Sequence, residues 1–138
     1  MPNPPPIIYK QGDLYWCDPD PNQTDTVGSE QKGDRIWLIV SIEKLHRGNC
    51  LVALPLSRHV EKVAQYAPPH LIKVPAEKIT MEDGNPSINR VALTDQIRAL
   101  DKRRLKRKAG FISHQAVLGV LTGLDFLFGR VFPSSKTN

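Results

Sequence analysis

Apolar runs separated by polar stretches dominate the first half of this chain. The run Gly12–Asp18 mixes aromatic and apolar side chains, which predicts a first strand. Ile36–Val40 is continuously apolar, which is typical of a buried strand. A helical turn is predicted at 42–45, ended by Gly48, and a third strand at Cys50–Ser57. The long polar stretches at 19–34 and 58–69 are predicted to be loops.

The second half contains weaker strand patterns interrupted by turn residues. Strands are predicted at His70–Val74 and Asn89–Arg98, and the second of these either continues or bends at Asp95–Gln96. A turn is predicted between them, at Gly84–Pro86. Proline lacks the N–H that a strand ladder needs, so Pro55 should mark an edge strand, a bulge or a strand end.

One long helix is predicted near the C-terminus. Ser113 is a suitable N-cap, apolar residues recur from Val117 to Phe128, and Gly129 fits the end. Gly119 and Gly123 weaken this helical pattern. The segment is apolar on more than one face, so we expect it to pack on the sheet, with a second subunit as a further candidate contact.

Five or six short strands, long loops and one helix predict a mainly β (α+β) domain, a small and strongly curved antiparallel barrel. The 138 residues suit one domain, which we place at 10–130. A flexible proline-rich segment, 1–9, is expected before it, and a flexible tail, 131–138, after it.

Composition and charge narrow the class of partner. The net charge of +5 favours polyanionic partners such as nucleic acid or an acidic protein segment. No apolar run is long enough for a membrane span, and the N-terminus lacks the features of a signal peptide, so we expect a cytoplasmic protein. Cys17 and Cys50 lie in apolar, strand-like runs and are predicted to be buried, reduced thiols.

Four stretches in order, Gly12–Pro21, Val27–Arg35, Ala53–Ser57 and Thr94–Leu105, resemble the MazF/PemK family of toxin endoribonucleases. The resemblance spans about residues 10 to 125. Two positions depart from the family pattern. Ile36 follows Arg35 where the family usually has proline, and Ser57 stands where the family has its catalytic threonine.

The resemblance implies an SH3-like barrel of the CcdB/MazF/PemK type with short helices, forming a homodimer that a cognate antitoxin neutralises. It also implies the toxin of a type II toxin-antitoxin system. Such a toxin is a sequence-specific endoribonuclease that cleaves single-stranded mRNA. Attack by the RNA 2′-hydroxyl leaves a 2′,3′-cyclic phosphate and a 5′-hydroxyl. No metal or other cofactor is expected, because the histidines and carboxylates lack metal-ligand spacing.

Arg35, at the end of the loop Gly28–Arg35, is the first catalytic candidate. Its planar guanidinium suits phosphate oxygens, and the resemblance implies a further role in proton transfer. Arginine stays protonated at ordinary pH, so charge stabilisation or general acid catalysis is physically easier than base catalysis. The alternative is a structural pair with Glu30 or Asp34.

Ser57 and Glu30 complete the candidate catalytic set. The Ser57 hydroxyl keeps the donor and acceptor of the family's threonine, and its alternative role is to satisfy backbone groups at a strand end. Glu30 is the nearest carboxylate for a general base or for orienting Arg35.

Candidate RNA-binding residues flank these positions: Ser29, Gln31, Lys32, Gln96 and Arg58. His59 is noted because it lies two residues after Ser57. Six of the seven residues in Lys102–Lys108 are basic, which predicts either attraction of RNA or a solvated basic turn. Trp16 and Trp37 have apolar neighbours and are interpreted as core residues.

Two alternatives to the nuclease stay open at this point. A CcdB-like inhibitor would bind DNA gyrase through its helix and need no phosphate-facing arginine. A catalytically decayed homologue would only bind an antitoxin, and Ile36 and Ser57 are the reasons to consider it.

Overall fold

The computed structural model describes residues 6–18, 35–61 and 69–130. These residues form eight strands, one α-helix and four 3-10 turns. The strands are β1 (Asp13–Cys17), β2 (Arg35–Ile39), β3 (Cys50–Ser57), β4 (Leu71–Val74), β5 (Ile79–Met81), β6 (Arg90–Leu93), β7 (Arg98–Asp101) and β8 (Leu105–Ile112). The helix is α1 (His114–Leu127), and the turns are Glu43–Leu45, Ala76–Lys78, Thr94–Gln96 and Lys102–Arg104.

All strand pairs are antiparallel, in the order β4-β6-β3-β2-β1-β8-β5. The strand β7 lies off this path and pairs with the first half of β3, at Cys50–Ala53. The last two residues of β3 pair instead with β6, so one edge of β3 serves two strands. This curled sheet with a C-terminal helix has the mainly β architecture that the sequence predicts.

Pro55 lies where the partner of β3 changes. It is buried inside β3, opposite Trp37 of β2, and not at an edge, bulge or strand end as predicted. Along the other edge, β7 pairing ends at Ala53 and β6 pairing begins at Leu56. Neither Leu54 nor Pro55 has a partner on that edge, and a residue without an N–H is tolerated where the ladder is interrupted.

The sequence patterns miss two strands, β5 and β8. β8 covers the second part of the basic run Lys102–Lys108, so that run is a turn only as far as Arg104. Its pairing with β1 shifts register twice, which places Lys106, Arg107 and Lys108 consecutively on the surface. Such bulges break the alternation by which a strand is predicted. The predicted strand Asn89–Arg98 is divided into β6, a 3-10 turn and the start of β7.

Apolar side chains fill both faces of the central strands. Ile36 and Leu38 contribute to the main core, which also contains Val117 and Val120 of α1. Trp37 and Ile39 point the other way into a second cluster. This confirms the prediction that the apolar run after Arg35 is a buried strand, and the structure adds that both of its faces are buried.

The helix begins as predicted. The Ser113 hydroxyl oxygen accepts the N–H of Ala116 at 3.1 Å, which caps the first turn. A Cβ built on Gly123 would lie 2.5 Å from Cγ1 of Ile72, so this glycine allows α1 to approach β4 closely. No helix in the described part of the chain has the length and apolar character needed to cross a membrane.

The prediction that both cysteines are buried is correct for one of them and wrong for the other. Cys17 is buried at the end of β1, but Cys50 is exposed at the start of β3, and neither forms a disulfide. Cys50 pairs with Asp101 at the end of the β3–β7 ladder, where its side chain is exposed.

A substitution at Gly110 tests how closely β5 approaches β8. A Cβ there would lie 1.9 Å from the carbonyl oxygen of Thr80, a backbone atom that cannot rotate away. We expect Gly110→Ala to lower the free energy of unfolding by about 1–3 kcal/mol, measured by denaturant unfolding followed by tryptophan fluorescence. Gly48→Ala is the matched control, because a Cβ there meets nothing within 4 Å. Equal stability of the two variants would contradict this account of the packing.

Candidate active site

A cavity of about 280 Å³ opens where four neighbouring strands, β1, β2, β3 and β6, come together. Three of its lining residues are arginines, and among the described residues no carboxylate lines it. The lining residues are Trp16, Arg35, Ile36, Leu56, Ser57, Arg58, His59 and Arg90. The cavity therefore has the charge of an anion-binding site.

Strand register brings Arg35 and Ser57 together. In the β2–β3 ladder, Trp37 lies opposite Pro55, and Arg35 and Ser57 each stand two residues beyond this last pair, one on each strand. Both residues line the cavity, so two of the three predicted catalytic residues share one site.

Arg35 is half-buried at the start of β2, opposite Cys17 of β1. Burial lowers the pKa of its guanidinium, because a charged group is less stable away from water. The group remains a cation at neutral pH. Its predicted alternative role, pairing with Glu30 or Asp34, involves residues outside the described part of the chain.

Ser57 is 3% exposed at the last position of β3. Its Oγ accepts the backbone N–H of His59 at 3.0 Å, so the role of satisfying a backbone group is present. A hydroxyl that accepts one bond can still donate its own proton, so this contact is compatible with binding an anion in the cavity. His59 also lines the cavity, and its ring Nδ1 lies 3.2 Å from the Glu61 carboxylate.

Arg90, at the start of β6, is a cavity residue that the sequence analysis missed. Its Nη1 donates to the carbonyl oxygen of Leu56 at 3.5 Å, and its Nε is buried without a hydrogen-bond partner. Burial lowers the pKa of Arg90, the nearby charge of Arg58 lowers it further, and Asp83 opposes these effects. The sequence shows only a polar residue at a strand start, because the neighbours that matter come from β3.

Trp16, predicted as a core residue, is partly buried: it packs against the main core and also forms a wall of the cavity. Its indole Nε1 donates to Oδ2 of Asp83 at 2.7 Å, and the Arg107 guanidinium lies 5.3 Å from its ring centroid. Asp83, in the turn after β5, is a second residue that sequence reasoning missed. It holds the indole in place at the cavity.

The other predicted RNA-binding residues are not all placed. Ser29, Gln31 and Lys32, like the catalytic candidate Glu30, lie outside the described residues. Gln96 is exposed at the end of a 3-10 turn rather than on a strand, and it is not among the residues that line the cavity. In residues 6–18, 35–61 and 69–130, no group of three or more His, Cys, Asp or Glu side chains could hold a metal ion.

Comparison with known proteins identifies one family whose model matches this chain. The model of the family described as PemK-like, MazF-like toxins of type II toxin-antitoxin systems matches residues 10–128. The Endoribonuclease MazF of Staphylococcus epidermidis is 29% identical over 123 residues, which cover 88% of this chain and 92% of that protein.

Solved structures show the same fold. MazF from Deinococcus radiodurans superposes with a TM-score of 0.63 at 23% identity, covering 90% of this chain and 99% of that one. An endoribonuclease from a mycobacterial species, solved in complex with its cognate antitoxin, gives a TM-score of 0.55 at 18% identity, covering 91% and 98%. These structures confirm the predicted MazF type of curved barrel.

The Trp16–Asp83 hydrogen bond predicts a pH effect on stability. Slight burial acts to raise the pKa of the Asp83 carboxyl, but hydrogen bonds from Trp16 and Asn85 outweigh it and lower the pKa below the ordinary 3.8. A group with a lowered pKa in the folded state adds stability above its unfolded pKa, and this is lost as the pH falls through the folded pKa. We expect wild type to be more stable than Asp83→Asn at pH 7 and the difference to shrink below about pH 4.

Denaturant unfolding at a series of pH values measures this difference. Glu77→Gln is the control, since Glu77 is exposed in a 3-10 turn. A stability difference between wild type and Asp83→Asn that stays constant down to pH 3 would show that the carboxylate does not act through its charge.

Proposed function

The chain belongs to the family of PemK-like, MazF-like toxins of type II toxin-antitoxin systems, and on this premise we propose that it is a metal-independent endoribonuclease cutting single-stranded mRNA. The observation that carries the proposal is the meeting of Arg35 and Ser57 in one small cationic cavity. The relative from S. epidermidis named Endoribonuclease MazF supports RNA as the substrate.

RNA brings its own nucleophile, the 2′-hydroxyl. Its attack on the adjacent phosphorus forms a pentavalent phosphorane whose oxygens carry additional negative charge. The Arg35 guanidinium donates to these oxygens, and the Ser57 hydroxyl donates to one of them. Arg35 is half-buried, so its charge acts on the phosphorane with less screening than it would in water.

Two proton transfers complete the reaction. Arg35 protonates the departing 5′ oxygen, and burial favours this because it lowers the pKa of the guanidinium. Glu30 takes the proton of the 2′-hydroxyl, and proton exchange with water then returns Glu30 and Arg35 to their starting states. The products are a 2′,3′-cyclic phosphate and a 5′-hydroxyl. The cavity arginines supply the charge stabilisation, so this route uses no metal ion or other cofactor.

RNA binding extends beyond the cavity. We assign Ser29, Gln31, Lys32, Arg58 and Gln96 to contacts with the phosphate backbone or base edges. Of the two that the structure describes, Arg58 lines the cavity and Gln96 does not. The cut sequence is then set by contacts outside the Arg35–Ser57 pair.

The proposal includes protein partners and a location. The mycobacterial endoribonuclease solved with its cognate antitoxin supports an antitoxin partner here. An acidic antitoxin segment would complement the net charge of +5. A homodimer and a cytoplasmic location, where mRNA is available, remain part of the proposal.

The nuclease ranks above both alternatives. A protein that acts only by binding DNA gyrase needs no cavity lined by three arginines and a serine. A decayed homologue is disfavoured because Ile36, which replaces the family's proline, is buried opposite Trp16 in an unbroken β1–β2 ladder. The change at this position therefore leaves Arg35 at the edge of the cavity.

Arg35→Ala tests the proposal. In mixed single-stranded RNA with excess chelator, we expect wild type to cut and Arg35→Ala to cut at least about 100-fold more slowly, because the phosphorane loses its main cation. The melting temperature should change little. Arg47→Ala is the control, since Arg47 is an exposed arginine at the opposite end of β3. Ser57→Thr should keep most of the rate and Ser57→Ala should lose it.

Two outcomes would contradict the proposal in different ways. Intact RNA after incubation with folded wild-type protein in chelator would exclude a metal-independent nuclease. Equal cutting by wild type and Arg35→Ala would leave the nuclease but remove the cavity as its active site. Sequencing the cut ends of a long RNA gives the recognition sequence in the same experiment.

A further inference from the structure

Arg90 is a half-buried cation without a matched counter-charge among the described residues around it. Its Nε lies out of contact with solvent and makes no hydrogen bond. Within the described part of the chain, its side chain donates one hydrogen bond, from Nη1 to the carbonyl oxygen of Leu56, and this bond is long at 3.5 Å. A guanidinium N–H buried without an acceptor costs free energy, so the apo protein is not at its most stable with this side chain.

The charges around Arg90 add to this cost in free energy. Arg58 acts on it with the same sign, and Asp83 offsets part of that repulsion. The Asp83 carboxylate is already engaged by the Trp16 indole at 2.7 Å. An anion in the cavity would give the Arg90 guanidinium the counter-charge that it lacks and relieve the repulsion between the two arginines at once.

The two arginines flank the same end of the β3–β6 ladder. This ladder ends with Ser57 opposite Val91, and Arg58 directly follows Ser57 while Arg90 directly precedes Val91. Both arginines line the cavity together with Arg35 and Ser57. Like charges that line one cavity repel each other, and a bound anion offsets that repulsion.

We propose that Arg90, together with Arg58, binds a phosphate of the nucleic-acid backbone in this cavity and thereby positions it for Arg35 and Ser57. The assignment of that phosphate to RNA rests on the proposed function, whereas the phosphate site itself rests on Arg90. Arg90 is a binding residue in this scheme. Its loss therefore weakens affinity more than it slows the chemical step at saturating RNA.

A single-stranded DNA pool of mixed sequence tests the site without cleavage, since it keeps the phosphates and lacks the 2′-hydroxyl. Binding is measured by fluorescence anisotropy at several salt concentrations for wild type, Arg90→Gln and Arg90→Lys. Arg47→Gln removes the same charge on an exposed surface away from the cavity and is the matched control.

We expect Arg90→Gln to bind the pool about tenfold more weakly than Arg47→Gln. The slope of log affinity against log salt should become shallower by about 0.7, the value for one lost phosphate contact on a single strand. Arg90→Lys should keep the slope and recover part of the affinity, because it keeps the charge but not the planar fork. The melting temperature of Arg90→Gln should equal or exceed that of wild type, since a half-buried and poorly paired charge is removed.

The outcomes separate this inference from the proposed function. If Arg90→Gln and Arg47→Gln show the same affinity and salt slope, the phosphate site is wrong, whether or not wild type cuts RNA. A large fall in melting temperature for both Arg90 variants, with an unchanged slope, would also overturn it by showing a structural role. If the slope falls but wild type leaves RNA intact in chelator, the phosphate site stands and the nuclease function fails.

Discussion

The pairing of β3 along both of its edges is the constraint on which the rest of this structure depends. One edge pairs with β2, and the other serves β7 over Cys50–Ala53 and then β6 from Leu56. The change of partner at Leu54–Pro55 divides β6 from β7 along this edge. It also places the end of β3 between the start of β2 and the start of β6. The cavity exists because these three strand ends meet.

The cavity concentrates positive charge at a cost in stability. Burial lowers the pKa of both Arg35 and Arg90, which means that the folded protein holds each cation less well than water does. The curled sheet buries enough apolar side chains on both faces of β2 to tolerate this. Charged side chains that lack a full set of partners are typical of functional sites, where a ligand supplies the missing partner.

Much of the fold could be predicted from patterns that are local. The buried strand after Arg35, the Ser113 cap and the end of α1 each depend on a few consecutive residues, and the structure confirms them. The strand β8 escaped prediction because two register shifts against β1 put three basic residues in a row on the surface. The burial of Pro55 and the exposure of Cys50 depend on which strand lies beside β3, and no local pattern contains that information.

For the site, the sequence by itself determined the family and the identities of Arg35 and Ser57 as a cation and a hydroxyl suited to phosphate. These follow from motifs whose residues are close together in the chain. The tertiary structure alone decided that these two side chains share a cavity, and that Arg90 and the Trp16–Asp83 pair belong to it. Arg90 comes 55 positions after Arg35 in the sequence. Its role arises from strand register and desolvation, which are properties of the folded sheet rather than of any segment of it.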